Sequence, residues 1–182
     1  MQVKHGLRAA RGGRGIGRAR RHRTSNRGPV GRSLARRELM AAPANKFQPR
    51  ITVLYCRQCL AADAQPFEGR RPGQGFAAQL VLLPCSSKMQ VHNLMRILEK
   101  GADGLQLVAC PDNACQHLVG SMRAGKRLAY AQGLLQQAGL EPERLGLARG
   151  QGLSLESITE MAGQRAEAVR PLGPNPLKGV SS

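Results

Sequence analysis

The sequence has few acidic residues, no long apolar run near its start, and none of the side-chain patterns that carry hydrolytic or group-transfer chemistry. It contains neither a Ser/His/Asp arrangement nor a pair of carboxylates suited to acid–base catalysis. The glycines between residues 12 and 17 follow no predicted strand, so they do not form a dinucleotide-binding fingerprint. These absences argue against a catalytic protein with a small-molecule substrate pocket of its own.

The basic residues are concentrated at the start of the chain. Residues 1–39 hold 12 of the 28 Lys and Arg residues and one of the 11 acids, which gives this segment a charge of +11. The remaining residues carry +6, which suits a globular domain with an acidic partner. Because residues 1–39 contain no apolar run, they are neither a secretory signal nor a membrane span. We therefore expect no membrane span and a cytoplasmic protein.

Three interpretations of this basic leader, residues 1–45, stay open. It is an arm for nucleic acid or another acidic partner, an organelle transit peptide, or an upstream extension that is not part of the mature protein. We favour the third, because Met40 precedes the change to a globular composition and Arg/Gly/Ala bias can arise from GC-rich DNA. A transit peptide would be richer in Ser and Thr. We expect a disordered leader and no nucleic-acid partner.

Four short apolar runs, rich in Val and Leu, predict buried strands. They are residues 51–55, 78–83, 105–109 and 145–148. If helical crossovers connect them, the strands are parallel and their carboxyl ends lie at one edge of an open sheet. That edge is where ligand sites of α/β sheets form.

Helical periodicity predicts three helices between and after these strands. The stripe of the first consists of Val91, Leu94, Met95 and Leu98. Ser86 or Ser87 is its expected cap, and Gly101 suits its left-handed end. The second places Leu128, Ala131, Leu134, Leu135 and Ala138 on one face and ends at Gly139. The third should begin near the Ser157-x-x-Glu160 capping box and run to about Arg170, before Pro171.

These elements define a small single-domain α/β fold over residues 46–170. It is an open sheet of about four mainly parallel strands with flanking helices. Residues 66–75 are rich in Gly, Pro and Arg, and they predict a surface loop. Residues 171–182 contain three prolines and two glycines, and they predict a flexible tail.

Five cysteines follow the predicted strands: Cys56, Cys59, Cys85, Cys110 and Cys115. If the strands are parallel, these thiols converge at one edge of the sheet. An iron–sulfur cluster needs four soft thiolates on a small scaffold, and four of the five can supply them. Position alone does not identify the spare cysteine.

Other interpretations of the cysteines stay open. They are buried small hydrophobes, a reactive Cys56-x-x-Cys59 dithiol, or part of a structural zinc site that includes His92 or His117. A disulfide framework is not expected, because the count is odd and a secretion signal is lacking. The alternative function is therefore a zinc-binding or thiol redox-sensing regulatory protein with a basic nucleic-acid-binding arm.

The residues around the cysteines resemble the hydrogenase iron–sulfur subunit family, typified by the delta subunit of methyl-viologen-reducing hydrogenase. The resemblance covers residues 51–148 and includes the segments 53–59, 83–86, 101–115 and 134–145. One residue and one segment depart from the family pattern. Gln58 stands where an aromatic residue is frequent, and residues 149–152 replace a segment that contains Trp.

The resemblance implies a [2Fe-2S] cluster with four ligands drawn from Cys56, Cys59, Cys85, Cys110 and Cys115. It also implies a non-catalytic electron relay between a hydrogenase or formate dehydrogenase and a flavin-containing heterodisulfide reductase subunit. By sequence position, Ser86, Asp112 and Asn113 are the nearest groups that could hydrogen-bond to cluster sulfurs.

Overall fold

The computed structural model describes residues 47–178, so the predicted leader at residues 1–45 lies outside it. The strands are β1 (Arg50–Cys56), β2 (Gly69–Gly73), β3 (Phe76–Leu83), β4 (Gly104–Ala109) and β5 (Leu145–Arg149). The helices in this part of the chain are α1 (Val91–Glu99), α2 (Gly120–Gln137) and α3 (Leu155–Val169). None of these helices combines the length and apolar composition that a membrane crossing requires.

The strands form one sheet in the order β2-β3-β1-β4-β5. The central strand β1 pairs in parallel with β3 and β4, and β4 pairs in parallel with β5. These four strands are the predicted ones, so the predicted α/β class and the mainly parallel sheet are confirmed. Their carboxyl ends share one edge of the sheet, which we call the cysteine edge because the cysteines follow the ends of β1, β3 and β4.

The fifth strand, β2, corrects the prediction of a surface loop at residues 66–75. It pairs antiparallel with β3 through a hairpin in which Gly75 adopts a left-handed φ of 73°. Pro72 lacks an N–H group but is tolerated because β2 is an edge strand. The connection from β1 to β3 therefore contains the 3-10 turn Arg57–Cys59 and strand β2, and it is not a helical crossover.

Helices cover both faces of the sheet. On one face, α3 packs Ile158, Ala162 and Ala166 against Val53 of β1 and Val108 of β4. On the other face, the apolar stripes of α1 and α2 pack against a second core set that includes Leu54, Leu105, Leu107, Leu94, Leu98, Leu128 and Leu135. Four of the cysteines join the core on the α3 side: Cys56, Cys59, Cys110 and Cys115.

Two predicted helix starts are wrong. The cap of α1 is Gln90, because Ser86–Lys88 form a separate 3-10 turn. The cap of α3 is Ser154, whose hydroxyl accepts a hydrogen bond from the Ser157 backbone N–H at 3.2 Å. The predicted ends are closer: Gly101 adopts a left-handed φ of 91° after α1, and α3 ends at Val169, two residues before Pro171.

Much of the predicted C-terminal tail packs against the domain through a buried carboxylate. The Asp103 side chain, at 0% exposure, accepts hydrogen bonds from the backbone N–H groups of Arg50 and Asn175 at 2.8 and 2.9 Å. Lys178 Nζ lies 2.5 Å from the same carboxylate. Asn175 also donates from its amide to the carbonyls of Leu98 and Ala102. These contacts hold residues 175–178, a difference from the expected tail.

We expect Asp103→Ala to lower the free energy of unfolding by about 3–5 kcal/mol, because it removes a buried charge from its paired donors. Urea unfolding followed by circular dichroism measures this loss. Glu99→Ala removes an exposed carboxylate one turn away, and it should change the unfolding free energy by less than about 0.5 kcal/mol. Equal stabilities of the two variants would contradict this role of Asp103.

Candidate metal centre

Three thiols meet at the cysteine edge. Cys56 is the last residue of β1, Cys59 closes the 3-10 turn that follows it, and Cys110 follows β4. The sulfur of Cys110 lies 3.7 Å from that of Cys56 and 3.9 Å from that of Cys59. All three sulfurs lie within 4.8 Å of one another, and all three residues are at most 2% exposed. This spacing suits the shared coordination of a soft metal centre.

The three thiols differ in their protonation. Hydrogen bonding from Cys59, with backbone N–H groups of Gln58 and Ser86, lowers the pKa of Cys56 to about 5 against the opposing effect of burial. Burial and the nearby Cys56 charge raise the pKa of Cys110 to about 11. Hydrogen bonding to Cys56 and burial raise the pKa of Cys59 as well. Cys56 is therefore the most acidic thiol of the three, and a bound cation would favour the ionisation of all of them.

The remaining cysteines, Cys85 and Cys115, both lie close to Gly120, the first residue of α2. A Cβ added to Gly120 would lie 3.1 Å from the sulfur of each. Glycine is therefore required for close packing here, because a side chain would press on both sulfurs. Cys85 and Cys115 are 3% and 8% exposed, which makes them the least buried of the five.

Two arginines hold the cysteine-bearing loops in place. Arg127 of α2 donates to the carbonyls of Ser87 and Met89, so it fixes the loop after Cys85 to α2. Arg149, at the end of β5, pairs with Asp112 at 2.8 Å and donates to the Ser121 hydroxyl. That hydroxyl in turn donates to the carbonyl of Cys110. The sequence indicated neither arginine, although Arg149 ends a predicted strand at the cysteine edge.

Ser86 is the polar residue most closely associated with the thiols. Its side-chain oxygen is buried and, within residues 47–178, has no hydrogen-bond partner. Its backbone N–H helps to lower the pKa of Cys56. Of the other two groups named from the sequence, Asp112 is engaged by Arg149, and Asn113 lies exposed in the 3-10 turn before Cys115. A buried hydroxyl without a partner is the kind of donor that a cluster sulfur would satisfy.

The structure thus brings Cys56, Cys59 and Cys110 together and places Cys85 and Cys115 each close to Gly120. All five thiols are free in the described structure. The two histidines weighed as zinc ligands, His92 and His117, are both exposed. Among residues 47–178, the group of close metal-ligating side chains consists of cysteines alone. This composition is typical of thiolate-bound iron or zinc.

Comparison with known proteins identifies the class. Residues 51–173 match the family model described as methyl-viologen-reducing hydrogenase, delta subunit, so the chain belongs to this family.

Among individual relatives, the chain is similar to the vhu iron-sulfur subunit of the F420-non-reducing hydrogenase of Methanocaldococcus jannaschii, at 28% identity over 132 residues. The corresponding vhu iron-sulfur subunit of Methanococcus maripaludis is 26% identical over 131 residues. Each match covers 72% of this chain and 98% of the relative.

A longer relative contains a similar segment. It is a subunit of the ferredoxin:CoB-CoM heterodisulfide reductase of Methanosarcina mazei, and it is 27% identical over 142 residues. The match covers 75% of this chain but 18% of that protein. The similarity therefore concerns one segment of a much larger polypeptide.

We expect Gly120→Ala to lower the free energy of unfolding by about 1–3 kcal/mol, because the added methyl group displaces the Cys85 and Cys115 sulfurs. Gly133→Ala is the matched control in the same helix. No atom lies within 4 Å of its added Cβ, so it should stabilise the protein by up to about 1 kcal/mol. Thermal unfolding of the reduced protein compares them, and a Gly120→Ala variant as stable as the control would contradict the packing argument.

Proposed function

We propose that this protein is an electron-transfer subunit that carries a [2Fe-2S] cluster at the cysteine edge. The observation that supports this best is the buried group of three thiols at the ends of adjacent parallel strands, with two further cysteines alongside. A cluster supplies one-electron chemistry when bound. Membership of the hydrogenase delta subunit family agrees with such a role.

The residues present fit a cluster of this kind. Cys56, Cys59 and Cys110 supply three ligands from one buried group. We assign the fourth position to Cys115, because it belongs to the same core as these three. Cys85 is then the spare cysteine, and its sulfur lies 3.1 Å from the Ser87 hydroxyl, a hydrogen bond that satisfies it without metal.

The surrounding residues exclude water and supply hydrogen bonds. The three close thiols are almost completely buried between β1, β4 and α3, which shields the site from solvent. The backbone N–H groups of Gln58 and Ser86 already lower the pKa of the Cys56 thiol. The Ser86 hydroxyl adds a donor that is still without a partner in the described residues. Burial and hydrogen bonding of this kind set the potential of an iron–sulfur site.

The proposed partners are a heterodisulfide reductase-like flavin subunit on one side and a hydrogenase or formate dehydrogenase on the other. The M. mazei reductase subunit supports the first, because there a segment similar to this chain lies within a heterodisulfide reductase polypeptide. The relatives named as hydrogenase subunits support the second. We propose a cytoplasmic location for the complex, and we propose that residues 1–45 are not needed for the cluster.

The proposal is tested by metal and sulfide analysis of anaerobically purified protein. We expect about two irons and two acid-labile sulfides per chain, as four cysteinyl ligands to one [2Fe-2S] cluster require. A truncated protein that starts at Lys46 should contain the same amounts. Stoichiometric zinc without iron would instead support the alternative zinc protein, and a colourless, metal-free protein would support the dithiol.

Serine replacements test the ligand assignment. We expect Cys→Ser at Cys56, Cys59, Cys110 or Cys115 to abolish the cluster or strongly alter its electron paramagnetic resonance spectrum. Cys85→Ser should keep the cluster and cost about 1–3 kcal/mol of stability, since the new hydroxyl is buried. If Cys85→Ser lost the iron and Cys115→Ser kept it, the assignment of the fourth ligand would be reversed. Unchanged iron in all five variants would rule out the cluster.

The Ser86 hydroxyl provides a test of the hydrogen bonding. We expect Ser86→Ala to lower the reduction potential by about 20–60 mV, because a lost hydrogen bond of about 0.5–1.5 kcal/mol no longer stabilises the more negative reduced state. Ser86→Thr retains the hydroxyl and should keep the potential near that of the parent protein. Redox titration with spectroscopic detection measures both, and an unchanged potential in Ser86→Ala would show that the hydroxyl does not reach the cluster.

A further inference from the structure

Three exposed apolar residues flank Gly120, the residue that packs close to the least buried thiols. Five large apolar side chains are exposed among residues 47–178, and three of them are adjacent at the start of α2. They are Leu118, Val119 and Met122, with exposures of 82%, 39% and 42%. Gly120 lies between them in the sequence, and a Cβ added to it would be 3.1 Å from the sulfurs of Cys85 and Cys115. The segment that carries these apolar side chains therefore packs close to the thiols.

The backbone at Leu118 is held in an unusual conformation. Its φ is 53°, and in the described part of the chain Leu118 is the residue other than glycine that has a positive φ. A left-handed conformation is unfavourable for leucine, and such strain is concentrated at functional sites. Its N–H donates to the Cys115 carbonyl at 2.8 Å, so the turn that presents the Leu118 side chain to solvent is fixed to the cysteine loop.

Positive charge lies beside Val119. A cavity of about 280 Å³ is lined by Val119 together with Cys85, Lys88 and Arg123. Lys88 and Arg123 are exposed, and neither forms an ion pair within residues 47–178. From residue 113 to residue 140 the sequence contains no Asp or Glu. The nearest carboxylate in the sequence, Asp112, is paired with Arg149.

We propose that Leu118, Val119, Met122, Lys88 and Arg123 form the docking surface for an acidic one-electron redox protein. We call these five residues the docking patch. An apolar centre with a charged rim is the usual anatomy of a protein interface, and the cationic rim selects a partner that presents carboxylates. Because Cys85 lines the same cavity as Lys88, Val119 and Arg123, a partner seated there lies close to the cysteine edge. The inference rests on the proposed function and identifies its point of electron exchange.

Small redox probes of opposite charge test the site of exchange. The reduced protein gives one electron to hexacyanoferrate(III), which becomes hexacyanoferrate(II), or to hexaammineruthenium(III), which becomes the ruthenium(II) complex. We expect Lys88→Glu/Arg123→Glu to slow the anionic oxidant about tenfold at low salt and to accelerate the cationic one. Stopped-flow absorbance measures both rates. Rates equal to those of the parent protein would overturn the inference.

A matched control reverses two charges elsewhere. Arg70 on the edge strand β2 and Lys100 after α1 are also exposed, and both lie away from the cysteine edge. Arg70→Glu/Lys100→Glu changes the net charge by the same amount, so it should leave the preference between the two oxidants nearly unchanged. If this control altered the rates as much as Lys88→Glu/Arg123→Glu, the effect would be one of net charge, and the docking patch would be refuted.

Calorimetry tests protein docking without relying on electron transfer. Oxidised plant-type ferredoxin serves as an acidic redox protein, and we expect it to bind the parent protein at low salt. Lys88→Glu/Arg123→Glu and Leu118→Ser/Met122→Ser should each weaken binding at least fivefold, whereas Tyr130→Ser, an exposed aromatic further along α2, should not. Absence of binding, or equal binding by all variants, would overturn the inference. Absence of iron in the parent protein would instead refute the proposed function. The calorimetric result would still show whether the docking patch binds an acidic protein.

Discussion

The parallel pairing of β1 with β3 and β4 is the constraint on which the rest of the structure depends. In a parallel sheet every strand ends at the same edge, so residues far apart in the chain become neighbours wherever they follow a strand end. Cys56 and Cys110 are 54 residues apart, yet their sulfurs are 3.7 Å apart. An antiparallel arrangement of β1 and β4 would place them at opposite edges and leave no site.

Concentrating sulfur at a buried edge creates an electrostatic difficulty, because thiolates are costly to bury. The fold lowers this cost in two ways. Backbone N–H groups of Gln58 and Ser86 favour the thiolate of Cys56 by lowering its pKa. The N-terminus of α2, the positive end of its dipole, begins at Gly120 close to Cys85 and Cys115. Both devices use backbone groups, and neither introduces a carboxylate that would compete with the sulfurs for a metal.

Strand ends were predictable from the sequence because short Val/Leu runs are a local signal, and the cysteines simply follow them. The hairpin strand β2 was not, since its Gly-Arg-Arg-Pro-Gly sequence has no apolar alternation and gains its order from pairing with β3. The residues that hold the cysteine-bearing loops in place were also not predictable from the sequence. Arg127 and Arg149 form hydrogen bonds to residues that are 38 and 28 positions away in the sequence. The role of Gly120 depends on two sulfurs that lie close to it only in the folded chain.

The placement of the five thiols separates two needs that conflict in an electron carrier. Cys56, Cys59 and Cys110 are almost completely buried in the core on the α3 side, whereas Cys85 and Cys115 are slightly more exposed and lie close to Gly120. Insulation alone would keep a partner too far away, and exposure alone would admit water. The backbone at Gly120 covers the sulfurs and still allows a close approach of a partner, since a side chain there would push the surface outward from the sulfurs. The absence of a Cβ at this position therefore sets how closely a partner can approach.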